Sequence, residues 1–271
     1  MAALFPLPFL GIVGNCIPAM TGQLFGFRQA LIESFLALGL LAVTATFIGV
    51  EISSILGLAI ISWGILLILG NLVGRTRSMT LAIQGCVVLA LSVLLIFQIL
   101  LGDPQSFWQP ILESIYSDLA VQGLNIDIDI NAQAAIASSA LITGMLIGTL
   151  FSLLLGSRLA SIIAAHPEVE PFSELRLGYF IGSLAVFVAL ASIFSMPTSG
   201  ALLLFGTAFM FQGVAVLIWW SKLKSWPSLW WLGLIALALI LPSMFLLITI
   251  TLSIVGFIDN WYGLRRQDYK F

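Results

Sequence analysis

The chain has 271 residues, of which 61% are hydrophobic and 8% are charged, and its mean hydropathy is +1.15. A soluble domain carries about 25% charged residues because its surface faces water, so this composition excludes an ordinary soluble protein. The net charge of -2 provides no basic surface, and the chain is therefore not expected to bind nucleic acid.

Apolar stretches of about 20 residues, the length that a helix needs to cross a bilayer, recur along nearly the whole chain. Backbone polar groups in lipid must be paired within their own segment, so these long runs predict helices and not barrel strands. The sequence predicts an all-α, polytopic transmembrane helical bundle of about 8 spans, forming a single integral membrane domain over residues 1–271. The predicted spans cover residues 2–24, 30–49, 53–74, 79–101, 133–156, 177–195, 200–220 and 228–258.

Basic residues in the connections between spans predict the orientation of the bundle. Arg28, Arg75, Arg158 and Lys222 lie in alternate connections, so these connections are expected in the cytoplasm, including the predicted loop 157–176. The opposite connections contain no Lys or Arg. The longest of them, the predicted extracytoplasmic loop 102–132, contains five acidic residues, namely Asp103, Glu113, Asp118, Asp127 and Asp129.

The extracytoplasmic loop 102–132 also has apolar residues at helical spacing from about residue 106 to residue 122. This pattern predicts an amphipathic helix that lies in the membrane interface, with Trp108 at the level of the lipid head groups. A second interpretation is that the helix caps a cavity from outside.

The fifth predicted span has small residues at intervals of four: Ala140, Gly144, Gly148, Ser152 and Gly156. Such spacing places the small side chains in one strip along a helix face, where another helix can approach closely. The strip predicts close packing, either inside the bundle or against a partner protein.

Polar residues within the predicted spans are few, and each should face the protein interior because it is costly in lipid. They include Asn15, Asn71, Gln84, Gln98 and Gln212. We expect them to form hydrogen bonds between helices or, for Asn15, Asn71 and Gln212 in particular, to line a polar cavity for a substrate.

The last predicted span, 228–258, would be about 46 Å long as one helix, which is too long for one upright crossing. Pro242 lies near its centre and interrupts the helical hydrogen-bond ladder. Two short passes hinged near Pro242 would make nine passes and return the C-terminus to the cytoplasm. At the C-terminal end, Asp259 is expected to form an ion pair with Arg265 or Arg266. This pair would lie beside interfacial Trp261, in a cytoplasmic cluster that Arg176 could join.

No sequence motif supplies a catalytic or metal-binding set. The chain has no G-x-x-x-x-G-K-[ST], no H-E-x-x-H and no G-x-S-x-G, and its one histidine, His166, has no evident partner. Cys16 and Cys86 lie in apolar segments and are interpreted as small buried hydrophobic residues. The sequence therefore predicts no enzyme, no cofactor and no metal site.

Three short segments resemble the YybS-like family of predicted bacterial multi-spanning membrane proteins. They are Phe172-Ser173-Glu174-Leu175-Arg176-Leu177, Phe211-Gln212-Gly213 and Gly256-Phe257-Ile258-Asp259-Asn260-Trp261 followed by Arg265-Arg266. The resemblance implies a fold similar to the S subunits of energy-coupling-factor transporters, in the bacterial cytoplasmic membrane. It also implies partners, a membrane coupling subunit and an ATPase, that would supply energy.

Two functions are compatible with these features. The first is a transporter-like, non-enzymatic subunit that binds a small molecule or lipid and uses a partner for energy, as the missing nucleotide motif and the resemblance indicate. The second is a membrane scaffold or biogenesis factor that acts through protein-protein contacts, as the amphipathic helix and the scarcity of polar residues in the spans indicate.

Overall fold

The computed structural model of the chain describes residues 7–48, 52–124, 129–164, 169–194, 199–227, 230–231, 233 and 241–265. Over these residues the chain is all-α, as the sequence predicts. In chain order the helices are α1 (Leu7–Phe25), α2 (Phe27–Ile48), α3 (Ile52–Thr76), α4 (Met79–Leu101), α5 (Pro104–Val121), α6 (Ile130–Ala164), α7 (Gly178–Ile193), α8 (Ser199–Leu223) and α9 (Pro242–Tyr262), with a 3-10 turn at Phe172–Glu174.

Six of the described helices, α2, α3, α4, α6, α8 and α9, are long and apolar enough to cross a membrane. Helix α7 is also apolar but has only 16 residues. Large apolar side chains remain exposed on these helices; in α2, for example, Leu36 is 71% exposed and Phe47 is 86% exposed. Water would penalise such a surface and lipid would not, so the helices fit a bilayer environment.

Helix α6 is longer than the span predicted for it. The prediction ended at residue 156, whereas α6 continues to Ala164 and has 35 residues. No glycine or proline interrupts residues 157–164, so nothing in the sequence ends the helix there. The first residues of the predicted loop 157–176, as far as Ala164, are therefore helical.

Helix α5 lies within residues 102–132, where the sequence predicts an amphipathic helix. Asp103 caps its N-terminus, because its Oδ1 accepts the Gln105 backbone N–H at 3.1 Å. No residue of α5 is buried, and two side-chain hydrogen bonds attach it to α6. Trp108 Nε1 donates to Ser138 Oγ at 2.7 Å, and the Tyr116 hydroxyl bonds Gln133.

The chain divides into two compact units, with boundaries inside α4, inside α6 and between Leu175 and Arg176. Unit one comprises residues 1–86 and 147–175, and unit two comprises residues 87–146 and 176–271.

In unit one, α1 and α3 run parallel and nearly touch through glycines. A Cβ on Gly70 would overlap the carbonyl group of Ala19, and a Cβ on Gly74 would lie 2.5 Å from the Gln23 oxygen. Gly70 and Gly74 are four residues apart and thus on one face of α3. Only glycine allows the two backbones to approach this closely.

Glu170 ties the start of α4 to the segment that follows α6, also within unit one. Its carboxylate accepts hydrogen bonds from Ser78 Oγ at 2.8 Å, from Thr80 Oγ1 at 2.7 Å and from the Thr80 backbone N–H at 3.1 Å. The Glu170 N–H donates in turn to the Arg77 carbonyl at 2.9 Å. A carboxylate at a helix N-terminus satisfies free backbone donors and stabilises the helix.

In unit two, α8 and α9 run parallel. Ser253 Oγ donates to the Gly206 carbonyl at 2.7 Å and Gln212 Nε2 donates to Asp259 at 2.8 Å, and the two residues of each pair are 47 apart in sequence. Helix α9 begins at Pro242, after an extended Leu241. The chain is therefore interrupted at Pro242, as predicted, and residues 228–258 do not form one continuous helix.

Candidate functional site

The small-residue strip of α6 does not act as one continuous face. At its C-terminal end, Ser152 Oγ donates to the Ile12 carbonyl of α1 at 3.2 Å, and a Cβ on Gly156 would lie 2.6 Å from the Cys16 oxygen. At the other end Ala140 and Gly144 are exposed, and among the residues described outside this helix no atom lies within 4 Å of a Cβ built on Gly144 or Gly148. The strip thus combines an intramolecular contact in unit one with an open surface.

Gly156→Ala is expected to lower the free energy of unfolding by about 1–3 kcal/mol, because the added methyl group meets the backbone of α1. Gly148→Ala is the matched control on the same helix. It is expected to be neutral or to stabilise by about 0.5–1 kcal/mol, since alanine favours helix and the space is open. Thermal unfolding in detergent, followed by tryptophan fluorescence, measures both. Equal effects of the two substitutions would contradict this packing.

The three polar residues proposed to line a substrate cavity have different surroundings. Asn15 is half-buried in unit one, where its Oδ1 accepts the Trp63 indole N–H at 2.8 Å. Asn71 is half-buried on α3, beside the close contact with α1. Gln212, in unit two, is 0% exposed and both ends of its amide are bonded, so it lines no open cavity. Of the two roles expected for Gln212, its amide has the first, a hydrogen bond between helices, because it pairs Asp259 of α9.

Gln212, in the middle of α8, belongs to a buried polar cluster with Asp259 and Arg265 at the C-terminal end of α9. The Arg265 guanidinium binds Asp259 with two nitrogens, Nη2 at 2.6 Å from Oδ2 and Nε at 3.3 Å from Oδ1. Gln212 Nε2 donates to the same Oδ2 at 2.8 Å, and its oxygen accepts the Leu177 N–H, just before α7, at 3.0 Å. The exposed fractions of the two charged side chains are only 4% and 0%. The predicted Asp259–Arg265 pair is thus present, and Arg266 lies outside the described residues.

A left-handed glycine makes this ion pair possible. Gly263 ends α9 with φ of 60° and donates its N–H to the Asp259 carbonyl at 2.8 Å, so the chain turns back. The Trp261 and Tyr179 rings are in edge-on contact, with 5.6 Å between their centroids. Trp261 is 40% exposed, which suits its predicted interfacial position. Arg176 is half-buried one residue before Leu177. The cluster joins α8 and α9 to the residue that precedes α7, and its side chains are buried.

A cavity of about 490 Å³ lies in unit two where α4 ends and α5 begins, and we call it the α4–α5 cavity. Its volume falls in the range of about 300–1,000 Å³ that is typical of small-molecule sites. Its lining residues are Leu94, Leu95, Gln98, Ile99, Gly102, Asp103, Pro104, Gln105, Ala135, Ser138, Ser139 and Gly200.

The α4–α5 cavity has an apolar side and a polar end. Leu94, Leu95 and Ile99 form the apolar side along α4, and Leu95 and Ile99 are still 58% and 71% exposed. Gln98 and Gln105 line the polar part, and neither side chain forms a hydrogen bond with another residue in the described part of the chain. This combination suits an amphiphilic molecule, whose tail would lie on α4 and whose head would meet the amides.

Two further cavities are less suited to a polar ligand. A groove of about 380 Å³ in unit two is lined by α7, α8 and α9 and is almost wholly apolar, because its one hydroxyl, on Ser253, is bonded to carbonyls of Gly206 and Thr249. A cavity of about 90 Å³ in unit one contains Glu33 and Trp63 and is small for an organic molecule.

Residues 7–48, 52–124, 129–164 and the later described segments contain no group of three His, Cys, Asp or Glu side chains placed to hold a metal ion. Both cysteines are free and buried, at 2% and 4% exposure, in agreement with their interpretation as small hydrophobic residues.

The sequence predicted a helix beside the α4–α5 cavity, but it did not identify Asp103, Gln105 or Ser138 as residues that line a cavity. The available signal was the interpretation of α5 as a cap over a cavity. Gln98 was recognised as a costly polar residue within a span, which is the second signal for the same site.

No family model, no curated protein and no solved structure matches this chain. The resemblance to the YybS-like family therefore stays a prediction based on short segments.

Proposed function

We propose that this chain is a non-enzymatic, transporter-like membrane subunit that binds an amphiphilic small molecule or lipid in the α4–α5 cavity. The observation that supports the proposal is the cavity itself, with a leucine and isoleucine side on α4 and two glutamine amides without partners among the described residues. Polar groups in a largely apolar pocket fix the orientation of a ligand, and the apolar side supplies most of the binding energy.

Energy for any transport would come from partner proteins. The chain has no Walker A motif with which to bind a nucleoside triphosphate itself. The proposal includes a membrane coupling subunit and an ATPase, as the resemblance to S subunits implies, and a place in the bacterial cytoplasmic membrane.

The proposed topology has nine passes, with the C-terminus in the cytoplasm. Its support is the parallel packing of α8 and α9, which requires the chain to return to the opposite end of the bundle between Leu223 and Pro242. Lys222 and Arg265 then lie on the same side, in agreement with the positive-inside rule.

Filling the cavity tests the binding role. Ala135 is an exposed residue of α6 that lines the cavity, so Ala135→Phe is expected to occupy the ligand's space with little effect on folding. Ala132→Phe is the matched control, since Ala132 is exposed on the same helix one turn earlier. Native mass spectrometry of the protein purified in mild detergent should detect a bound amphiphile on the unmodified chain and on Ala132→Phe, and at least about tenfold less on Ala135→Phe.

Equal retention by both variants, or no bound amphiphile on any of the three proteins, would contradict the proposal. The second of these results would favour the scaffold function. That alternative has one structural observation of its own, the exposed small-residue surface at Ala140 and Gly144, which a helix of another protein can approach closely.

A further inference from the structure

The polar end of the α4–α5 cavity carries one charged side chain, that of Asp103. Its Oδ1 is held by the Gln105 backbone N–H at 3.1 Å, in the N-cap of α5, which fixes the carboxylate at the cavity. Among the described residues no further hydrogen bond or ion pair of this carboxylate is present, so Oδ2 remains available to a ligand.

The amides next to Asp103 complete a polar surface that prefers neutral or positive groups. Gln98 and Gln105 each offer a carbonyl oxygen and an N–H group, and the cavity has no cationic side chain. An ammonium group could therefore meet the carboxylate and one or two amide oxygens together, whereas an anionic group could use only the amide donors.

The wider charge distribution points the same way. No Lys, Arg or His occurs between Arg77 and Arg158, while five acidic residues do, and Asp103 is one of them. The segment that forms most of the cavity is thus uniformly negative, and its potential attracts cations and repels anions.

A helix N-terminus usually favours anions, but this one is already occupied. Pro104 has no N–H to donate, and the Gln105 N–H is bonded to Asp103. The carboxylate of Asp103 itself takes the place that a phosphate or sulfate group would otherwise fill.

We infer that the α4–α5 cavity selects amphiphiles whose head group carries an ammonium charge, with the Asp103 carboxylate as its partner. This inference rests on the binding role proposed above and adds the chemical class of the ligand. Because Asp103 is exposed, the charge preference is expected to be about fivefold to tenfold and to weaken as salt is raised.

The experiment compares three single-chain amphiphiles of equal tail length, with a trimethylammonium, a neutral sugar or a phosphate head. Each is titrated into the full chain in detergent micelles, and binding is read by native mass spectrometry. The expected order of affinity is ammonium, then sugar, then phosphate.

Asp103→Asn is the test variant, since asparagine also caps a helix and the fold should be retained. It is expected to bind the ammonium and sugar amphiphiles equally. Asp118→Asn is the matched control, because it removes the same charge from an exposed site on α5 outside the cavity lining and should keep the original order.

Each outcome bears on one proposal. Three results would overturn the ammonium assignment while leaving the binding role intact. They are equal affinity for all three amphiphiles, tightest binding of the phosphate amphiphile, and loss of the ammonium preference in Asp118→Asn. No binding by any of the three probes, together with no effect of Ala135→Phe, would overturn the binding role itself.

Discussion

Arg265→Met is expected to lower the free energy of unfolding by about 3–5 kcal/mol, because it leaves the Asp259 carboxylate buried without its cation. Asp259 lies in α9 with 0% exposure, so it cannot move to water without disturbing the helix. Titration with sodium dodecyl sulfate in mixed micelles, followed by tryptophan fluorescence, measures the change.

Removing the other member of the ion pair, Asp259, should lower the free energy of unfolding by less. In Asp259→Leu, Arg265 lies beyond the glycine that ends α9 and can turn outward, so the expected loss is smaller than for Arg265→Met. The double variant Arg265→Met, Asp259→Leu removes both charges and is also expected to be more stable than Arg265→Met alone.

Arg158→Met is the control for this series, since Arg158 is exposed on α6 and its replacement should change stability by no more than about 0.5 kcal/mol. If Arg265→Met were as mild as Arg158→Met, the buried ion pair would not stabilise the C-terminal end of α9.

The second large effect is expected at the crossing of α8 and α9. Gly213→Ala places a methyl group on the carbonyl of Leu252, and a Cβ on Gly256 would likewise overlap the carbonyl of Phe209. Backbone atoms cannot rotate away as side chains can, so the helices must separate and lose contact along their length. A loss of about 2–3 kcal/mol is expected, at the upper end of the range for overpacking.

Gly206→Ala provides the control on the same helix. Outside its own helix backbone, no atom of the described residues lies within 4 Å of a Cβ built on Gly206, so this substitution should be neutral or stabilise by up to about 1 kcal/mol. The same detergent titration compares the two variants, and a Gly213→Ala protein as stable as Gly206→Ala would show that the helices do not cross here.

The helices were largely predictable because a long apolar run in lipid must pair its own backbone polar groups, and it does so as a helix. The predicted span 79–101 coincides with α4, and the predicted span 53–74 lies within α3, which ends at Thr76. The end of α6 was missed because its last residues include a charged and a polar side chain, which stop an apolar run but not a helix. Proline at 242 was informative because the ring both removes a donor and clashes with the preceding turn.

Contacts between helices were less predictable, since they depend on how distant segments meet. Asp259 and Arg265 are six residues apart, so their pairing followed from local sequence. Gln212 is 47 residues from Asp259, and nothing local indicates that its amide would complete the cluster. The strip on α6 predicted close packing, which Gly156 makes against α1, but it could not show that Gly144 faces no other segment in the described part of the chain.

The candidate site illustrates the same limit. The amphipathic pattern was sufficient to predict a helix here, and in the structure Asp103 is its N-cap with Pro104 as its first residue. A cavity, however, is a space between elements. Only the placement of α5 against α6, through the Trp108–Ser138 hydrogen bond, brings Gln105 and Ala135 to the same cavity as Leu94.

Photo-crosslinking tests the central claim, the location of the ligand, most directly. A single-chain amphiphile with a neutral head and a diazirine in its tail would be bound to the full chain, irradiated, and its attachment sites mapped by peptide mass spectrometry. Labels concentrated on residues 94–105 and 135–139, and displaced by an excess of unlabelled amphiphile, are the predicted result. Labels spread evenly over lipid-facing residues such as Leu36 and Phe47 of α2, without displacement, would contradict the account.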